Sequence, residues 1–386
     1  MKKLVEKSLI SLISFEICGK SFDKSHFDVN NTEFYTLLYK LSDMHDMAHI
    51  VYCALEKNGL LPTDKKVADK FKKAKVIALY KSEIISSVLN NIHKTFSQNN
   101  IKYVLLKGSV IRDYYPEQWQ RTSSDIDIFV DEKDLDKATL LLTDKLGYKK
   151  QQSVSTYDMH FIADSNLPLE LHYSLDVSAE DIKRGVKIGD VFLNGQNQSG
   201  SLYKMSDELF YYFQLIHFAK HFRSGGAGIR PLLDLWILDK MGKNNQQAQK
   251  FIEQRGLKEF HIEIKRVIDA WFNDKEPSEF TQNLSRFIMA SGTHGNIYYQ
   301  RQISMISSKN KFAYYFKRIY MPYKQLVFKY PNLKKNKMLY PIYLIKRIID
   351  ARNRKEYVKS ELGIVNNISE QKRKEIYDIY KKLNLF

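Results

Sequence analysis

Two aspartates flank a single isoleucine at Asp125-Ile126-Asp127, separated by fifteen residues from the turn Lys107-Gly108-Ser109. The stretch Asp125–Val130 reads as a strand. Side chains alternate faces along a strand, so both aspartates project from one side and Ile126 from the other. Two carboxylates on one strand face repel each other unless a cation lies between them. The pair therefore constrains the fold to a sheet with one apolar face and one face able to hold positive charge. Gly108 permits close approach of backbone N–H groups to an anion, and the helix predicted to follow presents its positive end. Ser109 is placed to cap that helix.

The rest of the pattern surrounds this segment with helices. Asn31-Thr32-Glu33 opens a helix whose apolar positions run through Leu37, Leu38 and Leu41 and on to Val51 and Leu55. After a turn at Pro62-Thr63-Asp64, a long helix runs from about Lys65 to Phe96. Ile101–Leu106 is a predicted strand, and a helix follows it to about Tyr115. Lys133–Leu146 is a helix closed by Gly147. Thr156–Ile162 and Leu167–Tyr173 are two further strands. From Asp207 onward the chain is helical again, interrupted at Gly225-Gly226-Ala227-Gly228. The expected class is α+β: a small mixed β-sheet core flanked by an N-terminal helical region and a larger C-terminal helical region. The expected divisions are residues 1–100, 101–200, 201–308 and 309–386.

Charge is unevenly spread. Of a net +17, residues 301–386 carry 21 Lys and Arg against 6 Asp and Glu, a balance of +15. Such a segment is a solvated surface, a nucleic-acid contact or a contact for an anionic membrane. Tyr314, Tyr315, Tyr320, Tyr323, Phe328 and Tyr330 are interleaved with these charges and could stack on bases. Cys18 and Cys53 sit in apolar helical settings that suit buried free thiols in a reducing compartment. No apolar run reaches membrane-span length, and Leu9–Phe15 lacks the cleavage site of a signal peptide; the expected location is the cytoplasm.

One more carboxylate completes the pattern. In Leu169-Glu170-Leu171-His172, alternation puts Glu170 and His172 on one face and the leucines on the other. A glycine turn, an aspartate pair and a third carboxylate on a later strand are the parts needed to hold a nucleoside triphosphate with divalent cations.

This combination resembles the DNA polymerase β-like nucleotidyltransferase superfamily. Leu105-Leu106-Lys107-Gly108, Tyr115-Pro116, Arg121, Asp125-Ile126-Asp127-Ile128-Phe129-Val130, Gly147-Tyr148, Glu170-Leu171-His172 and His217-Phe218-Ala219-Lys220-His221 resemble one branch of it. That branch comprises bacterial nucleotidyltransferases often associated with polysaccharide or peptide biosynthesis. The resemblance extends past Gly228-Ile229-Arg230 and Asp234, and its most specific part is residues 101–175. The fifteen-residue interval before the aspartate pair is a little longer than the superfamily usually shows.

The resemblance implies transfer of a nucleoside monophosphate from an NTP, ATP above the others, to an acceptor hydroxyl or phosphate, with release of pyrophosphate. Asp125, Asp127 and Glu170 would hold Mg²⁺ or Mn²⁺, and Glu170 would accept the acceptor's proton. Gly108 and Ser109 would hold the triphosphate, with Lys107, Lys220 and Arg230 offsetting its charge. The acceptor is a small molecule, a glycan precursor or a peptide; the alternatives are a tRNA-like RNA met by the basic segment, or a nucleotide-binding protein without catalysis. Presence of all three carboxylates favours an enzyme.

Several residues have a second reading. Lys107 contacts phosphate or is a strand-end surface lysine. Arg121 holds a phosphate or pairs with Asp125 or Asp127. His217 and His221 have the i, i+4 spacing of zinc ligands, but without a metalloprotease glutamate at position 218 a structural or nucleotide-contacting role fits better. Asp234 is expected to orient Arg230 or a histidine, and His172 to support the carboxylates.

Overall fold

The structure is a computed structural model that describes residues 1–152, 155, 157–175, 192, 196–293, 295–308, 313–314, 316, 320–352 and 370–386. Thr156, Tyr315 and the side chain of Phe328 lie outside this set. Before the first strand come α1 (Lys2–Cys18), α2 (Thr32–Met44), α3 (Ala48–Lys57) and α4 (Lys65–Gln98). The central segment holds β1 (Tyr103–Leu105), the single turn α5 (Gly108–Ile111), β2 (Ile126–Val130), α6 (Leu135–Leu140), β3 (Lys149–Lys150), β4 (Asp158–Ile162), β5 (Pro168–His172), β6 (Gln196–Ser199) and β7 (Leu202–Lys204). The later helices are α7 (Asp207–Arg223), α8 (Arg230–Lys240), α9 (Gln246–Gln254), α10 (Lys258–Phe272), α11 (Glu279–Ser291), α12 (Ile297–Ile306), α13 (Tyr323–Lys329), α14 (Tyr340–Arg352) and α15 (Glu370–Lys382). The chain is α+β.

Among the described residues the strands form one mixed sheet in the order β3-β4-β5-β2-β1-β7-β6. β2 runs parallel to β5 and antiparallel to β1, and β1 runs parallel to β7. The two sheet faces differ sharply. Ile126, Ile128, Leu169, Leu171 and Phe161 project onto the back, where they bury against Ile85, Ile92 and Phe96 of α4 and Ala138 of α6. The front carries the polar members of the same strands. A second, larger core packs α1, α2 and α3 against α7, α8, α10 and α15. The long helix α4 joins the two, giving Val67 and Phe71 to the larger core and Ile85, Ile92 and Phe96 to the sheet.

Three local expectations are corrected. The helix expected to continue from Thr32 through Leu55 is broken between α2 and α3, where Asp46 adopts φ 56°. A residue at positive φ cannot continue a right-handed helix, and the turn points Asp46 toward the sheet's front. Ser109 does not cap a helix: Lys107 precedes the first helical residue, with φ 45° and ψ −123°, and Ser109 lies inside the turn. The helix expected over Lys133–Leu146 keeps only six α-helical residues before widening to a π-turn at Leu141–Lys145. The strands β3, β6 and β7 are additions; they are short, and β7 finds β1 from about a hundred residues away.

Candidate active site

The register of β2 and β5 builds the site. Asp127 lies beside Glu170, and Phe129 beside His172. From the other side, β4 places His160 opposite Glu170 and Asp158 opposite His172. Alternation therefore aims Asp127, Glu170, His172, Asp158 and His160 from one face. Asp158 and His160 were not singled out in the sequence, although Asp158-Met159-His160-Phe161-Ile162 carries the same alternation as the other two strands. Asp125 stands one residue before β2, on the same side.

These groups close into a hydrogen-bonded cluster. The Lys107 ammonium lies 2.5 Å from Asp127 Oδ1 and 3.5 Å from Glu170 Oε2. The His172 ring nitrogen Nε2 lies 3.0 Å from Asp127 Oδ1 and 3.3 Å from Glu170 Oε2. One ligand atom each from Asp127, Glu170 and His172 falls within 4.8 Å of the others, a spacing that could hold a metal ion. Lys107 reaches this position from a backbone conformation that L residues rarely adopt, an unfavourable geometry of the kind found where side chains must be aimed.

The charges tune one another. Burial raises the Asp125 carboxyl, and the neighbouring Asp127 charge raises it further, to about 6. Glu170 moves the other way: the hydrogen bond from His172 holds it well below the usual carboxylate range, against burial and with help from Lys107. Burial alone would lower the His172 imidazolium, but hydrogen bonds to Asp127 and Glu170 outweigh it and raise the net value. Lys107 is raised in the same way, its burial outweighed by the Asp127 and Glu170 charges.

The cluster floors a cleft of about 340 Å³. Its opposite wall comes from α7 and α8. The Lys220 ammonium lies 3.1 Å from the Tyr157 hydroxyl and 5.0 Å from the centre of that ring, and Tyr157 stacks near-parallel on His172. His217 and His221 both line the cleft, with their Nε2 atoms 3.0 Å apart. Burial and the nearby Lys107 charge hold His217 well below its ordinary value, so it is neutral at pH 7.

Gly108 and Ser109 serve differently from each other. A Cβ at Gly108 would lie 2.0 Å from the Ser123 hydroxyl, so glycine is required for the turn to close against the loop before Asp125. Gly108 lines the cleft; Ser109 is buried behind it and its hydroxyl has no hydrogen-bond partner among the described residues.

Arg121 pairs with neither Asp125 nor Asp127. Its Nε and Nη2 donate to the two oxygens of Asp234, both at 2.8 Å, and Tyr115 donates to the same carboxylate at 2.7 Å. Asp234 thus orients Arg121 rather than Arg230. Arg230 instead reaches back to Asp46 at 3.1 Å and to the Thr122 carbonyl at 2.9 Å. Asp46 also accepts from the Thr122 hydroxyl. This double clasp ties α8 and the α2–α3 turn to the loop that delivers Asp125. Gly228 makes the approach possible, because a Cβ there would lie 2.8 Å from His45 Nδ1.

A cleft that sets a carboxylate-rich sheet face against basic helices, entered past a glycine turn, has the form of a nucleotide-handling site. The chain belongs to a family described as uncharacterised nucleotidyltransferase, which it matches over residues 35–273. No curated protein matches the sequence. A solved structure, an antigenic nucleotidyltransferase-like protein from Paracoccidioides brasiliensis, is 11% identical with a TM-score of 0.30, covering 52% of this chain and 94% of its own. Among the described residues no helix is long and apolar enough to cross a membrane.

Proposed function

We propose that this protein transfers a nucleoside monophosphate from an NTP, ATP first among them, to an acceptor hydroxyl or phosphate and releases pyrophosphate. The observation that carries the reading is the β2–β5 register, which sets Asp127 beside Glu170 on the front face with Asp125 next to them. The residues fit a divalent cation: the donors are mainly carboxylate oxygens, and the Lys107 ammonium already rests against Asp127 as a stand-in positive charge. Asp125, Asp127 and Glu170 would hold Mg²⁺ or Mn²⁺, with His172 fixing the carboxylates in place. Bound there, the cation supplies charge neutralisation for the triphosphate and the departing pyrophosphate.

The protein's own groups do the rest. Lys220 and Arg230, on the far wall, attract the triphosphate and offset its charge. The backbone at Gly108 offers N–H groups to phosphate oxygens. Arg121 acts through Asp234, shaping the wall. His217, neutral and half-buried, can accept or donate one hydrogen bond to the nucleotide. The hydrogen bond from His172 keeps Glu170 in its charged form, which suits holding a cation, and Glu170 would also accept the acceptor's proton.

We favour a small molecule, glycan precursor or peptide as acceptor. Of the aromatics that could stack on RNA bases, Tyr314 is buried beside Met305, while Tyr323 and Tyr330 pack against Tyr340 and Tyr343. The test is incubation with each α-labelled NTP, Mg²⁺ or Mn²⁺ and a cell extract, with the product identified by mass. Label joined to an acceptor with release of pyrophosphate supports the reading. Release of the γ-phosphate alone overturns it.

A further inference from the structure

The cleft accounts for none of the excess charge beyond residue 300, and one helix there has an unusual surface. On α14, Ile342, Ile345 and Ile349 are 59%, 58% and 55% exposed. At 100° per residue they fall within about 60° of one another, a single stripe along the helix. Met338, 86% exposed, extends the stripe from the turn before the helix. Exposed lysines border it: Lys334, Lys335 and Lys337 at its start and Lys346 along its side. The other side of α14 is already engaged, since Tyr343 packs against Tyr330 and Asp350 accepts a hydrogen bond from the Tyr330 hydroxyl. The helix is therefore anchored in one orientation and turns its branched aliphatic side chains to solvent.

We propose that this face docks on an anionic lipid bilayer. Three isoleucines and a methionine in a row are costly to leave in water and are far more than a nucleic acid would need. Pairing with a second copy would bring two lysine borders together inside a segment of net +15, which like-charge repulsion opposes. An anionic membrane satisfies both features: the aliphatic stripe enters the headgroup–acyl boundary, and the bordering lysines meet the negative surface potential. The helix lies in the interface rather than across it, because its 13 residues fall short of a span.

The test uses the full chain and sedimenting vesicles of phosphatidylcholine alone or mixed in equal parts with phosphatidylglycerol. The wild-type protein is expected to sediment only with the anionic vesicles. Lys334→Gln, Lys335→Gln and Lys337→Gln together should weaken partitioning roughly a hundredfold, at about fivefold per lysine. Ile342→Ser, Ile345→Ser and Ile349→Ser together should weaken it by about tenfold or more. A separate Ile345→Trp variant reports insertion, its added emission shifting to the blue with anionic vesicles. Equal binding to both vesicles, indifference to the isoleucine changes, or no blue shift of the added indole's emission would overturn the proposal. So would RNA binding at physiological salt that needs the same lysines while vesicle binding is absent.

Discussion

The cleft contains two buried ion clusters that look alike in composition and differ in bonding. In the clasp, Arg121 meets Asp234 through two parallel bonds, Tyr115 completes the carboxylate, and Arg230, Asp46 and Thr122 close a second ring. In the floor cluster, one ammonium and one imidazole must serve Asp127, Glu170 and the nearby Asp125, and Lys107 gets there only through a strained backbone. In the first cluster each carboxylate is met by a guanidinium and a hydroxyl, and Arg230 faces the cleft with its charge partly offset by Asp46. The second is short of positive charge and gains by accepting more. Burial and charge alone do not distinguish structure from chemistry; the count of unmet bonds does.

The contrast breaks most visibly at Glu170. Replacing Glu170 by Gln removes a cation-holding charge with little change of shape. Transfer is expected to fall by about a thousandfold or more, since a lost ligand costs several kcal/mol of charge stabilisation, while NTP affinity falls far less. Calorimetry alongside the rate assay checks both. Undiminished turnover would remove Glu170 from the floor.

The clasp should fail in stability instead. Asp234→Asn leaves the Arg121 guanidinium buried without its counter-charge, a loss of about 3–5 kcal/mol in urea unfolding. A double variant, Arg121→Met with Asp234→Leu, should recover much of that loss. If the single variant keeps its stability but loses nucleotide binding, the clasp belongs to the site's chemistry after all.

Much of this contrast was legible in the sequence. Period-two alternation put Asp125 with Asp127 on one strand face and Glu170 with His172 on another, and the register sets Asp127 beside Glu170. What was not legible depends on contacts between distant segments. Arg121 was expected to hold a phosphate or to pair with Asp125 or Asp127; its partner is Asp234, brought in by α8. Asp46 gave no sign, because the apolar pattern through Leu55 continues across the break that exposes it. The Ser109 expectation erred for a local reason: the turn begins at Lys107, which sets Ser109 inside it. The strands β6 and β7 carry no clear alternation and are held by pairing to β1 rather than by their own pattern.

A smaller effect sharpens the account of Lys107. Its ammonium and a divalent cation compete for the same carboxylate oxygens, so Lys107→Met should raise Mn²⁺ affinity without nucleotide by roughly tenfold. Titration followed by electron paramagnetic resonance would show it, and a weakened affinity would make Lys107 a partner of the cation rather than its stand-in.

A last effect is on pH dependence. Asp125 is raised from 3.8 to about 6, so the folded metal-free protein favours its protonated form. The stability this gives is fully present below about pH 4 and is lost as pH rises through about 6, by up to about 3 kcal/mol. Asp125→Asn should flatten that part of the stability profile. A profile unchanged by the substitution would mean that neither burial nor the Asp127 charge raises the Asp125 carboxyl.

The most direct test compares Asp127→Asn with the wild-type protein, both folded by circular dichroism, in Mn²⁺ binding and in pyrophosphate release from an α-labelled NTP. The account predicts that the variant loses Mn²⁺ affinity by about a hundredfold or more and that pyrophosphate release falls with it. A variant that keeps more than about a tenth of the wild-type rate would contradict the assignment of the β2–β5 face as the seat of the chemistry.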